Sequence, residues 1–310
     1  MSITAPAAGS LPHVLTLVAD PAVAGLTEAQ AKTARAALAD LGAATAPADW
    51  LSPGAACDIG FDRLDTDQAQ AAAAQALAGV PVDIVAQAVA GRRRSVLVAD
   101  MESTIIRQEM LDELGELVGA RDRIAGITAR AMNGELDFKA ALRERVGLLA
   151  GLPATVLTEM IGRITLMPGA ESLIATLVRH GVRCALVSGG FKTFTAHVRD
   201  RLGFHEDQAN DLEVAEGRLT GRPVEPILDK DAKLQALIRI AATHQVPLTD
   251  TITVGDGAND LPMLQAAGLG VAYHAKRAVA AQVRARIDHG DLTALLYLQG
   301  YREDEIVRPA

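Results

Sequence analysis

Ser95-Val-Leu-Val-Ala-Asp100-Met-Glu102 is the stretch that decides the architecture. An apolar run with no alternating polar positions leads straight into two carboxylates. Such a run is the mark of a strand buried on both faces, as in a parallel sheet. The form recurs at Val182-Arg-Cys-Ala-Leu-Val-Ser188 and at Asp250-Thr-Ile-Thr-Val-Gly-Asp256, and Leu269-Gly-Val-Ala-Tyr273 is a fourth example. Helical patterns at 191–202 and 231–245 lie between the second and third runs. This alternation predicts an α/β fold with a Rossmann-like parallel sheet as its core and crossover helices on the faces. Ligands of such sheets bind beyond the carboxyl ends of the strands. Asp100, Ser188 and Asp256 all fall there.

The first two runs are too far apart for one crossover. Asp100 and Ser188 are 88 residues apart, whereas a strand–helix–strand unit needs about 30. Residues 169–180, stopped by Gly181, supply the usual helix. The excess, about 106–167, is helical in pattern, with apolar positions at Met110, Leu111, Leu114, Leu117 and Val118, then Phe138, Leu142, Val146 and Leu149. The expectation is a helical cap inserted after the first core strand and lying over the strand ends.

Ahead of this core, residues 1–90 read differently. They carry 3 basic and 9 acidic side chains, against 27 and 29 in the remainder. Arg92-Arg93-Arg94 marks the change and reads as a solvated linker. His13-Val-Leu-Thr-Leu-Val-Ala19 is a strand. Thr27-Glu-Ala-Gln30 has capping-box spacing, Gly42 is a helix stop, and Ala31, Ala34, Leu38 and Leu41 share a helix face. Weak strands at 43–48 and 55–61, a helix at 67–78 and a strand at 82–90 complete a β-α-β-β-α-β order, the pattern of a small ferredoxin-like α+β domain. The expected division is therefore 1–91 and 92–310.

Composition narrows the function classes. The chain has 310 residues, is 49% hydrophobic and carries net charge −8, with 3% aromatics. A nucleic-acid partner is not expected, because a basic face and stacking aromatics are missing. The first basic residue is Lys32, so no signal-peptide n-region is expected, and the least charged stretch, 68–91, is broken by Pro81 and Asp83. A soluble cytoplasmic protein without a membrane partner is the expectation. Cys57 and Cys184 form no CxxC, and the seven histidines form no HxxxH or HExxH, so zinc chemistry is not indicated.

Four groups of residues carry chemistry. Asp100 and Glu102 can converge on one small volume, one as nucleophile and one handling protons; each could equally be a turn-forming acid. Gly255-Asp-Gly-Ala-Asn-Asp260 is not a dinucleotide fingerprint, since Asp260 stands where the third glycine belongs. Its carboxylates suit an oxygen-liganded divalent cation. Ser188-Gly-Gly-Phe-Lys-Thr193 opens a helix with small residues, which lets backbone N–H groups approach an anion. Lys233 sits in a helical first turn, where an ammonium is electrostatically unfavourable without a partner. Ionised Asp100, Glu102, Asp256 and Asp260 would crowd four negative charges together. A phosphate monoester could join them only if a Mg²⁺ and a lysine offset the charge. Nucleophile, acid/base, phosphate-binding serine, lysine and metal site make a complete phosphoryl-transfer set.

In order and wording these motifs resemble the haloacid dehalogenase superfamily and, within it, the phosphoserine phosphatase family, over about 97–297. The stretch Asp100-Met-Glu-Ser-Thr-Ile-Ile-Arg-Gln-Glu109 resembles the first motif with its following substrate-binding Glu. Leu136-Asp-Phe138 to Leu142-Arg-Glu-Arg145 resembles the substrate-contacting cap segment. Val187-Ser-Gly-Gly-Phe191 and Val254-Gly-Asp-Gly-Ala-Asn-Asp260 are near-verbatim motifs, and Gly217-Arg-Leu-Thr-Gly221 resembles the hairpin leading to the family lysine. The first 90 residues resemble, in pattern only, the regulatory ACT-like domains of some members.

The resemblance implies Mg²⁺-dependent hydrolysis of O-phospho-L-serine to L-serine and phosphate through an aspartyl-phosphate, the last step of L-serine biosynthesis. It implies Asp100 as nucleophile, Glu102 as acid/base and Ser188 and Lys233 as phosphoryl ligands. It places Mg²⁺ on Asp100, the backbone carbonyl of Glu102 and Asp256, with Asp260 orienting that shell. Glu109 would face the substrate ammonium and Arg145 its carboxylate, Gly189 and Asn259 would touch substrate, and Met132 and Phe138 would wall the pocket. Glu102 departs from the Asp usual at that position. Two alternatives stay open: action on another small phospho-amino compound, or a catalytically degraded regulatory binding protein. A homo-oligomer formed through the N-terminal domain also stays open.

Overall fold

The strand Val96–Ala99 lies inside a six-stranded sheet, with all four residues buried. The computed structural model describes residues 11–132, 135–228 and 231–309. Across the sheet the order is Ala285–Ile287, Leu269–Tyr273, Thr251–Gly255, Val96–Ala99, Arg183–Phe191 and Glu206–Asn210. Every pairing is parallel. The four inner strands are those expected. The two outer ones are additions: Glu206–Asn210 is mostly polar and half-buried, as an edge strand can be, and Ala285–Ile287 has only three residues. Ala99 stands level with Val254 on one side and Leu186 on the other. That register brings Asp100, Asp256 and Ser188 out over one end of the sheet.

The helix Ala170–Arg179 makes the expected crossover and ends before Gly181, whose φ of +79° closes the turn. The insertion contains four helices, Met110–Leu117, Arg121–Met132, Phe138–Gly147 and Thr155–Ile161. Its two connections run side by side: Arg107 N–H donates to Thr165 O and Met167 N–H to Ile105 O, both at 2.9 Å. Met110, Leu111, Leu114, Leu142, Val146 and Leu149 are buried as their spacing predicts. Leu117 and Val118 are exposed instead, because the first cap helix ends there and the periodicity ends with it. The hairpin of Leu212–Ala215 and Arg218–Pro223 supports the cap from below, with backbone bonds of 2.8 Å from Gly151 to Leu219 and from Leu219 to Leu152.

The N-terminal segment is an antiparallel sheet of His13–Val18, Ala44–Thr45, Asp49–Ser52, Ala56–Asp62 and Asp83–Ala88, with helices Glu28–Asp40 and Thr66–Ala76. The expected strand order gains a member: Asp49–Ser52 pairs with Ala56–Asp62, a short strand whose polar ends hid it. Both halves of the Thr27–Gln30 capping box form. Ala31, Ala34 and Leu38 pack with Leu15, Ile59 and Phe61. Leu41 does not join them; it is the C-cap residue and 56% exposed.

The other face of this sheet is covered too. Val18, Leu51, Ala56 and Val85 belong to the same apolar cluster as Leu292, Leu295, Leu296 and Tyr301 near the chain's end. At this seam the linker expectation fails for Arg92. Its guanidinium is buried, bonding Asp58 at 2.5 and 2.8 Å, Thr16 Oγ1 at 2.8 Å and the carbonyls of Leu298 and Tyr297 at 2.7 and 2.9 Å. The partners lie far off in sequence, so the local charge run gave no hint of them.

Candidate active site

Asp100 begins where its strand ends. It is 5% exposed. Its Oδ1 accepts from Met101 N–H at 2.7 Å and from the Lys233 ammonium at 2.7 Å. Oδ2 has no hydrogen bond among the described residues, so one carboxylate oxygen is fixed and the other is left to react. Lys233 is not the solvent-facing residue its isolated sequence context allows; it is 3% exposed and also holds Asp260 Oδ1 at 2.5 Å. The far oxygen of Asp260 accepts from Asp256 N–H at 3.1 Å and Gly257 N–H at 2.9 Å, which folds the glycine-rich loop around it.

Glu102 points toward the cap. Its Oε1 accepts from Met110 N–H at 2.9 Å, at the start of the first cap helix. That is a favourable place for an anion. Gly190 makes room for the carboxyl: a Cβ there would stand 2.7 Å from Glu102 Oε2. Ser188 Oγ is buried and accepts from Gly190 N–H at 2.9 Å. Asn210 steadies the same turn by donating to Gly189 O at 2.8 Å.

These groups floor a cleft of about 650 Å³. Asp100, Glu102, Glu109, Phe138, Arg145, Gly189, Asp256 and Asn259 line it, and the cap supplies its far wall. Ser188 and Lys233 line a small recess beside it, together with Phe138, Gly189 and Asn259. The Met132 side chain lies outside the described residues. Glu109 is held by Ser103 Oγ at 2.7 Å, and Arg145 by Thr128 Oγ1 at 3.4 Å and Ala141 O at 3.3 Å. Asp112, Asp137, Lys139 and Lys276 also line the cleft and are not among the residues the sequence singles out, and Asn210, which supports Gly189, is likewise an addition. Lys276 follows the strand Leu269–Tyr273, so the strand-end rule that flagged Asp100 could have found it.

The charges do not balance. Burial pushes the Asp100 carboxyl well above its ordinary range, the Asp260 and Asp256 charges add to this, and Lys233 opposes it. Burial, then Asp260, pushes Asp256 up to about 6. Burial opposes the Lys233 ammonium, yet Asp100 and Asp260 more than offset it and raise its pKa. Glu102 is pushed up to about 8 by burial and then by Glu109. Asp100, Asp256 and Asp260 can each offer an oxygen within 4.8 Å of the others. Hard oxygen donors with surplus negative charge fit a divalent cation such as Mg²⁺. The Glu102 carboxylate is not in this group.

The family model for the haloacid dehalogenase-like hydrolases matches residues 97–265. A phosphoserine phosphatase of Lactococcus lactis is 45% identical over 203 residues, 66% of this chain and 94% of that protein. The chain belongs to the phosphoserine phosphatase family of these hydrolases. A second family member, from Streptomyces coelicolor, is 41% identical over 82% of this chain, but the chain spans only 62% of that protein's length. Among solved structures, a probable phosphoserine phosphatase from Vibrio cholerae superposes with a TM-score of 0.77 at 30% identity, covering 98% of this chain and 90% of that one. The family match encloses Asp100, Glu102, Ser188, Lys233, Asp256 and Asp260, the residues that the fold gathers. Among the described residues no helix is long and apolar enough to cross a membrane.

Proposed function

We propose that this protein is a Mg²⁺-dependent phosphatase that hydrolyses O-phospho-L-serine to L-serine and phosphate, the last step of L-serine biosynthesis in the cytoplasm. One observation carries the reading: a single cleft exposes Asp100 and Asp256, which the buried Lys233 and Asp260 back up, and carries the opposed charges of Glu109 and Arg145 at its cap side. The floor suits a phosphoryl group. The cap side suits an ammonium and a carboxylate.

In this mechanism the free oxygen of Asp100 attacks phosphorus, and the bond from phosphorus to the serine oxygen breaks. Glu102, protonated near neutral pH because its pKa is raised to about 8, gives its proton to the leaving oxygen. Water then attacks the aspartyl-phosphate while Glu102 takes the proton back, releasing phosphate and restoring Asp100. Ser188 and Lys233 hold the phosphoryl oxygens. Asp100, Asp256 and the Glu102 carbonyl, with Asp260 orienting them, would hold Mg²⁺, which would supply positive charge to the phosphoryl group. Residues 92–310 carry this chemistry, and residues 1–91 form the ACT-like unit attached to it.

Phosphate release from phosphoserine, after chelation and again after Mg²⁺ is restored, tests the reading. Activity should vanish and return. No release at saturating Mg²⁺, with activity gained on Glu102→Asp, would favour the degraded-site alternative. Arg145→Ala separates the substrates: KM for phosphoserine should rise by the equivalent of about 2–5 kcal/mol, the usual cost of truncating one partner of a buried charge pair. KM for p-nitrophenyl phosphate, which has no carboxylate, should barely change.

A further inference from the structure

Lys139, Arg145 and Lys276 line the cleft; Lys139 is not free, and the role of Lys276 is not yet accounted for. Lys233 is buried between Asp100 and Asp260, and Arg145 is bonded within the cap. Lys276 lines the same cavity beside Asp256 and Asn259, and no hydrogen bond or ion pair of its ammonium is found among the described residues. Its backbone N–H donates to Asp256 O at 3.2 Å, so its Cα is tied to the loop that carries the acidic cluster. The residue is exposed, in contrast to the buried Lys233.

What holds Lys276 there reaches outside the catalytic sheet. Two residues earlier, His274 has a φ of +42°, a turn that swings the chain back over the strand ends. Its backbone N–H donates to Ile287 O at 2.8 Å, and its ring Nε2 meets Gly290 O at 3.0 Å. The carbonyl is an acceptor, so Nε2 carries the proton. The loop 288–290 is in turn clasped by Asp83, at the start of the last N-terminal strand. Its carboxylate accepts from Asp288 N–H at 2.7 Å, His289 N–H at 3.1 and 3.2 Å and Gly290 N–H at 2.7 Å. Three consecutive backbone donors around one buried carboxylate make a stiff joint. Gly290 is fitted to it, since a Cβ there would stand 3.2 Å from Asp83 Oδ2.

We propose that Lys276 binds the phosphoryl group of the substrate in the cleft, and that Asp83, on the N-terminal sheet, is the positioning residue that fixes it there through the loop 288–290 and His274. This rests on the phosphatase reading above. The physical need is plain: a phosphomonoester dianion must approach a cavity lined by six carboxylates, Asp100, Glu102, Glu109, Asp112, Asp137 and Asp256. An unpartnered ammonium in the lining offsets that field and gives a phosphoryl oxygen a charged donor. Because the contact is to the phosphoryl end, it serves every phosphomonoester the cleft admits.

The test uses the full chain with Mg²⁺. Lys276→Ala should raise KM about tenfold for both phosphoserine and p-nitrophenyl phosphate, as expected on losing one charge-assisted hydrogen bond. It should weaken inorganic phosphate, measured by calorimetry, to a similar degree and leave Tm unchanged. Lys276→Arg should recover most of the loss. Asp83→Asn should raise KM on both substrates, and the double variant should be no worse than Lys276→Ala alone, a coupling that a merely structural Asp83 would not show. His274→Ala, at an exposed residue, tests the same link if Asp83→Asn fails to fold. KM and phosphate affinity within about twofold of wild type in Lys276→Ala would overturn the first half. An effect confined to phosphoserine would overturn the phosphoryl assignment. Additive losses in the double variants would overturn the positioning role. A wild type that turns over neither substrate refutes the phosphatase reading instead, and phosphate calorimetry still measures Lys276 in that case.

Discussion

Two buried charge clusters sit in this molecule, and they are built on opposite terms. At the seam with the N-terminal sheet, Arg92 meets one carboxylate, Asp58, and its remaining donors reach Thr16 and two carbonyls. Charge is matched and the donors are used. In the cleft, Lys233 faces Asp100 and Asp260, with Asp256 and Glu102 close by. There the anions outnumber the cation, and the Asp100 carboxyl is driven upward mainly by burial and then by its acidic neighbours. The first arrangement holds two parts together. The second is incomplete without added positive charge, which is the condition a metal ion and a catalytic site supply.

The contrast gives opposite expectations for removing one carboxylate from each cluster. Asp100→Asn should abolish turnover and the covalent intermediate, a loss of at least about 10³-fold. The same change should raise Tm of the metal-free protein. A carboxyl whose folded pKa lies above its unfolded value loses stability as pH rises past the unfolded value, and the loss is complete above the folded one. Asn removes that cost at neutral pH. A metal-free Tm that falls in Asp100→Asn would erase the contrast. Glu102→Gln comes next: kcat should fall by about 10²–10⁴-fold, the usual worth of a proton-transfer group, while Mg²⁺ affinity by calorimetry stays near wild type because the carbonyl remains. At the seam, Asp58→Ala strands Arg92 and should cost about 3–5 kcal/mol of stability, read by denaturant titration, with kcat unchanged. The smallest effect belongs to Glu102→Asp, which shortens reach without removing the acid; kcat should stay within about tenfold of wild type, since the two carboxyls differ by only about 0.4 in reference pKa. A larger loss would mean that the bond to Met110 N–H, and not the proton, is what Glu102 provides.

The site was legible because its parts obey local rules. Three of the inner strands are apolar runs that lead into Asp100, Ser188 and Asp256, so the sheet's topology gathers residues that sequence already marks. The cap was legible through the excess between Asp100 and Ser188. What escaped has physical reasons. The strands Glu206–Asn210 and Ala285–Ile287 lie at sheet edges, where one side needs no partner and the apolar signal is weak. Leu117 and Val118 keep the helical spacing just where the helix stops. Arg92 and Asp83 look like ordinary surface charges because their partners, Tyr297 and Leu298 for one and residues 288–290 for the other, are some 205 positions away. No window of local pattern spans that distance.

That distance also sets an order of events during synthesis. The N-terminal strands pair with one another entirely within residues 13–88, so they can form once that stretch has left the ribosome. Their clasp on the loop 288–290, and the apolar seam with Leu292–Leu298, must wait until residues 288–298 have been made. Until then the face carrying Val18, Leu51 and Val85 is bare. A nascent chain therefore carries an uncovered apolar sheet until residues 288–298 emerge, and the helix Ala294–Leu298 is among the parts that close it.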